Sequence, residues 1–441
     1  MPDSHGHELL PTTLSGWLEL LEARHGASIC LGLERVSKVL AALGSSTEAV
    51  VITVGGTNGK GSVCAMLEAV LRAEGYRVGC YTSPHLMRYN ERVRIDGIEA
   101  ADEVMAAAFA DVEAVRGDVP LTYFEHGTLA AWKMFCAEKL DAVILEVGLG
   151  GRLDAVNAID TDCAIVTSVA VDHTSYLGDT CEAIGFEKAG IFRTGCPAIC
   201  GDPQPPRTLV DYALAIGAEL WVLGHDFGFN SNRQQWSYWR NGRSARRGDT
   251  LMKRGGLAYP ALRGANQLFN AASVMTALDT LRARIPVSMQ AIRQGLMQVE
   301  LPGRFQVLPG RPQVVLDVAH NPQAAEVLAE NLGGMGFAPE TWAVFGMLAD
   351  KDVENVAKCM KARVDHWLPS TLSGPRGLDA GVLIERLCAA GVETSKITEG
   401  FATPAAAFMQ AQERAAVNDR IVIFGSFLTV ADVLAEIQSH H

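Results

Sequence analysis

Short apolar runs alternate with amphipathic stretches along most of this chain. VVITV (50–54), RVGCY (77–81), AVILEV (142–147) and AIVTSV (164–169) read as strands, and VVLDVA (314–319), WAVFG (342–346) and RIVIFG (420–425) continue the series. In SVCAMLEAVLRAEG, Val63, Met66, Leu67, Val70 and Leu71 recur at helical spacing, and Gly75 supplies a stop. A further long helix is expected over 266–283. Strands that are apolar throughout, with helices between them, predict parallel sheets covered on both faces, hence an α/β fold.

Two segments depart from this alternation. HDFGFNSNRQQWSYWRNGRSARRGDTLMKRGGLAYP (225–260) is aromatic, polar and rich in turn residues, which predicts hairpins. Its cations Arg243, Arg246, Arg247, Lys253 and Arg254 suit either an anion-binding patch or a solvated hairpin tip, and the tip is the simpler reading. ELPGRFQVLPGRP (300–312) is broken by prolines and glycines. It marks the expected boundary between a domain over 1–299 and a second one over 304–441.

Composition narrows the field. A chain of 441 residues exceeds one ordinary core, so two domains are expected. The net charge of −12 argues against a general nucleic-acid binder, whose affinity rests on Lys and Arg. The N-terminus, MPDSHGHELLP, lacks the apolar stretch of a signal peptide, and no apolar run reaches the length of a membrane span. Ten cysteines without a C-x-x-C pair complete the expectation of a cytoplasmic protein with reduced thiols. His5, His7, His440 and His441 are expected in solvated tails rather than at a metal.

The candidate chemistry starts at VITVGGTNGKGS (51–62), a strand, a glycine loop and a helix start. Free amides and the helix dipole make an anion site there, and Lys60 adds a point charge for a β- or γ-phosphate. Gly59 and Gly61 permit close backbone approach, and Ser62 is placed to reach a Mg²⁺ ion. The hydroxyl stands one place later than in the common G-x-x-x-x-G-K-[ST] loop. Glu146 is the first charge after AVIL, near the carboxyl end of a strand, where open α/β sheets bind ligands. A carboxylate there is costly unless paired or metal-bound. His173 in VDHTSYLG suits a ligand or a satisfied structural histidine equally. Ser83, in the long polar loop TSPHLMRYNERVRIDG (82–97), suits a metal or a plain turn. Lys188 in EKAGIFR reads as an exposed helical lysine. Asp317 and His320 follow a strand in VVLDVAHNP. A nucleophile–base pair, contacts to ribose, base or substrate, and a helix cap at Asn321-Pro322 are all open there, although no nucleophile elbow accompanies the pair.

GTNGKGS, TSPHL with NERVR, LTYFEHGTLAA, LEVGLGGRLDAVN, VTSVAVDHT, EKAGIFR, LPGRF, DVAHNP and GSF, in this order, span about residues 30–427. Together they resemble the folylpolyglutamate synthase family, most closely its bifunctional dihydrofolate synthase branch, within the Mur ligase superfamily. The resemblance implies a P-loop-type, mostly parallel N-terminal domain and a smaller Rossmann-like C-terminal domain. It implies an ATP-dependent acid–amino-acid ligase that joins L-glutamate to 7,8-dihydropteroate and to reduced folates, with the chain-extension activity alone as the alternative. Lys60, Lys188 and His173 would be catalytic, with Lys188 carbamylated. Thr57, Asn58, Gly59, Lys60, Gly61, Ser62, Asn270, Arg304, Asp317 and His320 would bind ATP. Ser83, Glu146 and His173 would hold Mg²⁺. Thr122, Tyr123, Phe124, Glu125, Leu153, Asp154 and Ala155 would form the pterin pocket, and a monomer is expected. A cell-wall Mur ligase would need an extra N-terminal domain, for which the loop at Gly55 comes too early. A partner-binding ATPase switch would leave the second half and the Glu146/His173 pair unexplained, and a catalytically dead module would lack some phosphate or metal position.

Overall fold

The computed structural model describes residues 10–25, 30–232, 234–242, 252–264 and 266–439. An eight-stranded sheet is built from β1 (Val50–Gly55), β2 (Val78–Tyr81), β3 (Val93–Ile95), β4 (Ile98–Glu99), β5 (Ala142–Glu146), β6 (Cys163–Val166), β7 (Pro197–Cys200) and β8 (Glu219–Val222). Its order is β4-β3-β2-β5-β1-β6-β7-β8. Pairing from β2 to β8 is parallel, and the β3–β4 hairpin adds an antiparallel edge.

The central strands are apolar throughout because both faces are covered. In β1, Val51 enters one core with Trp17, Phe109 and Phe135. Its neighbours Val50, Ile52 and Val54 enter the other, with Val63, Leu67 and Val70 of the helix Lys60–Glu74. Gly75 ends that helix at φ 99°, the left-handed cap that favours glycine.

Segment 225–260 forms a second, antiparallel sheet, β9 (Phe227–Ser231), β10 (Trp236–Arg240) and β11 (Met252–Leu257). It packs Phe227, Trp236 and Tyr238 against the helix Gln267–Thr280. Arg254 departs from the solvated-tip reading. It is held with Arg240 on Asp279, whose side chain is 4% exposed. Lys253 is exposed, and Arg243, Arg246 and Arg247 lie outside the described residues, as do His5, His7, His440 and His441.

A third sheet, in the order β12-β13-β16-β14-β15, occupies the C-terminal part. Its strands are β12 (Gln306–Leu308), β13 (Gln313–Leu316), β14 (Thr341–Phe345), β15 (His366–Pro369) and β16 (Arg420–Phe424). Only the β12–β13 edge is antiparallel. Alternate residues again divide between two cores, Val315, Phe345 and Phe424 on one face and Leu316, Val344 and Ile423 on the other. No helix among the described residues is long and apolar enough to cross a membrane.

Candidate active site

A cleft of about 960 Å³ opens between the carboxyl ends of the strands in the two large sheets. Thr57–Ser62 line it, and so do Ser83, Glu146, His173, Lys188, Asn270, Arg304, Asp317 and His320. Residues scattered over more than 250 positions of the sequence are therefore brought to one place.

The loop after β1 is fixed by its own backbone. Thr57 N–H donates to Ser168 O at 2.8 Å, and Thr167 Oγ1 donates to Asn58 O at 2.6 Å. Lys60 Nζ folds back on the carbonyls of Gly56 and Thr57 at 3.0 and 3.2 Å, and Asn58 N–H donates to Ser168 Oγ at 3.1 Å, so the amides left for an anion are those at the start of the helix Lys60–Glu74. Two glycines are sterically required. Gly59 has φ 92°, and a Cβ there would lie 2.8 Å from Asn270 Oδ1. A Cβ at Gly56, with φ 139°, would lie 1.9 Å from Thr167 Oγ1. Gly61 is not sterically required in the same way. A Cβ there would stand 4.0 Å from Glu146 Oε1 and 3.8 Å from Arg304 Nη2.

Parallel pairing with β1 sets Glu146 opposite Val54, beside the loop. The carboxylate is 4% exposed, and Oε2 accepts Ser83 N–H at 2.9 Å. Burial raises its pKa, against the pull of Lys60, Ser83 N–H and Arg304. His173 sits at φ 51° ahead of the short helix Thr174–Leu177. Burial, with Lys351 nearby, lowers its pKa to about 4, so the ring is neutral, and its Nε2 accepts from Lys351 Nζ at 3.4 Å, a bond that a metal at this nitrogen would have to replace. A buried carboxylate, a hydroxyl and a neutral imidazole fit a divalent cation whose other ligands are water and phosphate. Among the described residues, no three His, Cys, Asp or Glu side chains form a ready cage.

Lys188 is not exposed. It is 3% accessible on the helix Cys181–Ala189, and burial, followed by Lys60, lowers its pKa to about 7. Gly151 lets the GGRLDA loop approach this helix, where a Cβ would lie 3.1 Å from Lys188 Cα. Asp317 accepts the amides of Phe305 and Ala319, both at 2.8 Å, and burial raises its pKa to about 6. His320 Nδ1 donates to Val318 O at 2.8 Å. The two side chains thus point to different partners, and the nucleophile–base alternative falls. Arg304 is half-buried, with its guanidinium carbon 4.8 Å from the Phe427 ring centroid.

None of the seven pterin-pocket candidates lines the cleft itself. Thr122 caps the helix Tyr123–Ala137 by accepting Glu125 N–H at 3.2 Å. Glu125 returns a bond to Thr122 N–H at 2.8 Å and pairs with Arg35 at 2.8 Å. Asp154 accepts the amides of Leu149 and Val156 and starts the short helix Ala155–Ala158. Tyr123, Phe124 and Leu153 keep partial exposure, and Phe124 packs on the cleft residue Gly148.

Sequence reasoning passed over a polar clasp beside the loop. Lys351 Nζ donates to Asp172 Oδ1 at 2.7 Å, and Asn321 Nδ2 donates to Asp172 Oδ2 at 3.1 Å. Asn58 Nδ2 donates to Gln323 Oε1 at 2.6 Å. Burial pushes the Asp172 pKa up, but the charges of Lys351 and His173 and the Lys351 hydrogen bond overcome it and hold the carboxyl far below the usual range. The acid preceding His173 was a usable signal for Asp172, whereas Lys351 had none.

Residues 54–200 match the Mur ligase middle domain, and residues 303–427 match the Mur ligase glutamate ligase domain. The dihydrofolate synthase/folylpolyglutamate synthase of Escherichia coli (strain K12) is 44% identical over 428 residues, covering 97% of this chain and 96% of that protein. The chain belongs to the dihydrofolate synthase/folylpolyglutamate synthase family. It is an ATP-dependent ligase of the Mur type. Among solved members of this family, E. coli FolC in complex with DHPP and ADP superposes with TM-score 0.90 at 42% identity, each chain covered in full. The bifunctional Yersinia pestis enzyme complexed with AMPPNP and a Mn ion superposes with TM-score 0.86 at 43% identity, over 99% of this chain and 100% of that one. ATP and a divalent cation are thus the family's cofactors.

Proposed function

We propose that this chain joins L-glutamate to 7,8-dihydropteroate, and to reduced folates, through an acyl phosphate. The supporting observation is the single cleft in which Lys60, Glu146, His173 and Lys188 from the first sheet meet Arg304, Asp317 and His320 from the second. The loop Thr57–Ser62 receives the ATP phosphates, with Lys60 and the backbone amides at the helix start as the donors. Asn270, Arg304, Asp317 and His320 surround the rest of the nucleotide. Ser83, Glu146 and His173 would hold Mg²⁺, which supplies charge neutralisation at the transferring phosphoryl group.

A carboxylate oxygen of the acyl donor attacks the γ-phosphorus, the bond to the bridging oxygen breaks, and ADP leaves. The glutamate amine then attacks the acyl carbon, its proton is lost to solvent or a base, and phosphate departs as the amide forms. Little covalent work falls to the protein, so Lys60 and the loop amides act by position and charge. Lys188, with its pKa lowered to about 7, has a large unprotonated fraction at neutral pH and is a nucleophilic amine suited to carbamylation, which would place a second carboxylate-like group in the cleft. ¹³C-bicarbonate at pH 8 should give a carbamate resonance that Lys188→Met lacks. Phe124 and Tyr123, with Leu153, Asp154 and Ala155, form the pterin end, where Thr122 and Glu125 shape the helix start.

The same reading divides the chain into a domain over 1–299 and a Rossmann-like glutamate-ligase domain over 304–441. It takes the protein to be a cytoplasmic monomer, in keeping with ten free cysteines. Sedimentation at micromolar concentration tests the monomer.

The deciding experiment combines purified protein, Mg-ATP, L-glutamate and 7,8-dihydropteroate, with dihydrofolate detected by mass spectrometry. Product is expected, and tetrahydrofolate should gain glutamates in a second reaction. Extension of tetrahydrofolate without dihydrofolate formation would leave a folylpolyglutamate synthase only and withdraw the pterin assignment at 122–125 and 153–155.

A further inference from the structure

The NERVR stretch (90–94) has no part in the chemistry above, and its central arginine is in an unusual position. Arg92 is 9% exposed and borders the cleft. Its neighbours pair with acids, Arg88 with Asp102 and Arg94 with Glu68. Arg92 has no carboxylate partner among the described residues. Its Nε donates to His85 Nδ1 at 2.9 Å, and its guanidinium carbon lies 5.0 Å from the Tyr89 ring centroid and 5.8 Å from that of Tyr123. As the acceptor of that bond, His85 offers Arg92 no negative charge. Glu22 also borders the cleft, without an ion pair to Arg92.

A cation taken out of water without a counter-charge is costly, and proteins keep such groups where an anion completes them. The planar guanidinium fork matches a carboxylate bidentately. Location selects which carboxylate. Arg92 ends the turn Tyr89–Arg92 in the loop that carries Ser83, beside the metal-site candidate Glu146. On its other side it touches Tyr123, at the pterin end. It stands between the two ends that the acyl donor must span.

We propose that Arg92, walled by Tyr89 and Tyr123, binds a carboxylate of the acyl-donor substrate. The inference rests on reading the cleft as the ligase site. Two carboxylates share this chemistry. One is the reacting group itself, present in every acyl donor. The other is the α-carboxylate beside the reacting γ-carboxylate in the terminal glutamate of a folate, which dihydropteroate lacks.

Steady-state kinetics of Arg92→Gln and Arg92→Lys test this, with dihydropteroate, tetrahydrofolate, glutamate and ATP varied in turn. The KM for the acyl donor should rise about tenfold to a hundredfold in Arg92→Gln, the usual weight of a charge-assisted bond. Arg92→Lys should recover only part of it, because a point charge lacks the fork. The KM values for ATP and glutamate should stay within about twofold. A rise for both donors assigns the reacting carboxylate, and a rise for tetrahydrofolate alone assigns the α-carboxylate. Unchanged donor KM values in a variant that melts like the wild type would overturn the proposal, as would a rise confined to glutamate. If Arg92→Gln fails to fold, the Arg92→Lys donor KM decides by the same criterion. A wild-type protein inactive with both donors would overturn the ligase reading itself, whereas an active wild type with indifferent variants removes only the role of Arg92.

Discussion

One buried ion pair ties the phosphate-loop helix to the loop that carries Ser83. Arg94 donates to Glu68 Oε2 from Nη2 at 2.8 Å and from Nε at 3.0 Å. The Glu68 side chain is 8% exposed and that of Arg94 19%. Arg94 Nη1 also donates to Glu91 O at 3.1 Å and to Thr82 Oγ1 at 3.4 Å, immediately before Ser83. Arg94→Met keeps most of the stem and removes the cation. Glu68 is then a buried charge without compensation, and breaking such a pair costs about 3–5 kcal/mol. The partial exposure of Arg94 places the expected loss near the lower end, about 3 kcal/mol. Glu68→Leu combined with Arg94→Met removes the orphan charge and should restore stability to within about 1 kcal/mol of the wild type. Urea denaturation of the four proteins of this cycle gives the numbers, comparing the first transition only, because two sheets with separate cores need not unfold together. The kcat of both single variants should also fall, since Ser83 loses its brace. A loss below about 1 kcal/mol in Arg94→Met, or a double variant as unstable as the single one, would refute the reasoning.

Other outcomes are expected. Lys60→Ala should lower kcat about 10²–10³-fold, the weight of one preorganised donor, with an unchanged melting temperature; wild-type kinetics would sink the phosphate-site assignment. In bicarbonate-free buffer, Lys188 titrates near 7 in the folded protein against 10.5 ordinarily, so the unfolded chain binds the extra proton between these values. Stability should therefore rise with pH across that window, by at most about 1.4 kcal/mol per pH unit, and Lys188→Met should flatten the slope in a melting series. Thr122→Ala should cost about 1 kcal/mol through the lost cap; an unchanged KM for dihydropteroate would leave Thr122 a cap and no more.

The strands that were legible are those buried on both faces. Val50–Gly55 and Arg420–Phe424 are fully buried and read as unbroken apolar runs. β8, ELWV, is a half-exposed edge strand whose composition carries little signal. The polar loop over 82–97 concealed β3 and the turn into β4, although Asp96-Gly97 is the strongest short hairpin signal, and both residues have positive φ, 52° and 75°. Arg254 reads as surface because the chain around it is polar, and only the tertiary fold places Asp279 beneath it. The phosphate loop is local chemistry, written in consecutive residues. The Asp172–Lys351 contact spans 179 positions, and nothing near Lys351 announces its partner.

That last contact bears on how the two sheets work together. Asn58, within the phosphate loop, donates to Gln323 and Asn321 from the helix start that follows β13. Asp172, next to the candidate metal ligand His173, is held by Lys351 from the loop after β14. The C-terminal sheet therefore grips the two first-sheet loops that would meet the γ-phosphate and its metal. Arg304 and Asp317 add a further cation and anion from the same side. An acyl phosphate exposed to water would hydrolyse, and excluding water is the protein's main means of preventing that. If the C-terminal residues contribute to the phosphate site as proposed, closure of the two sheets would be a condition for forming the intermediate as well as for protecting it. On the proposed reading, an arrangement with the sheets apart would lack Arg304 and the clasp together, and activation of the carboxylate would be confined to the state that shelters its product.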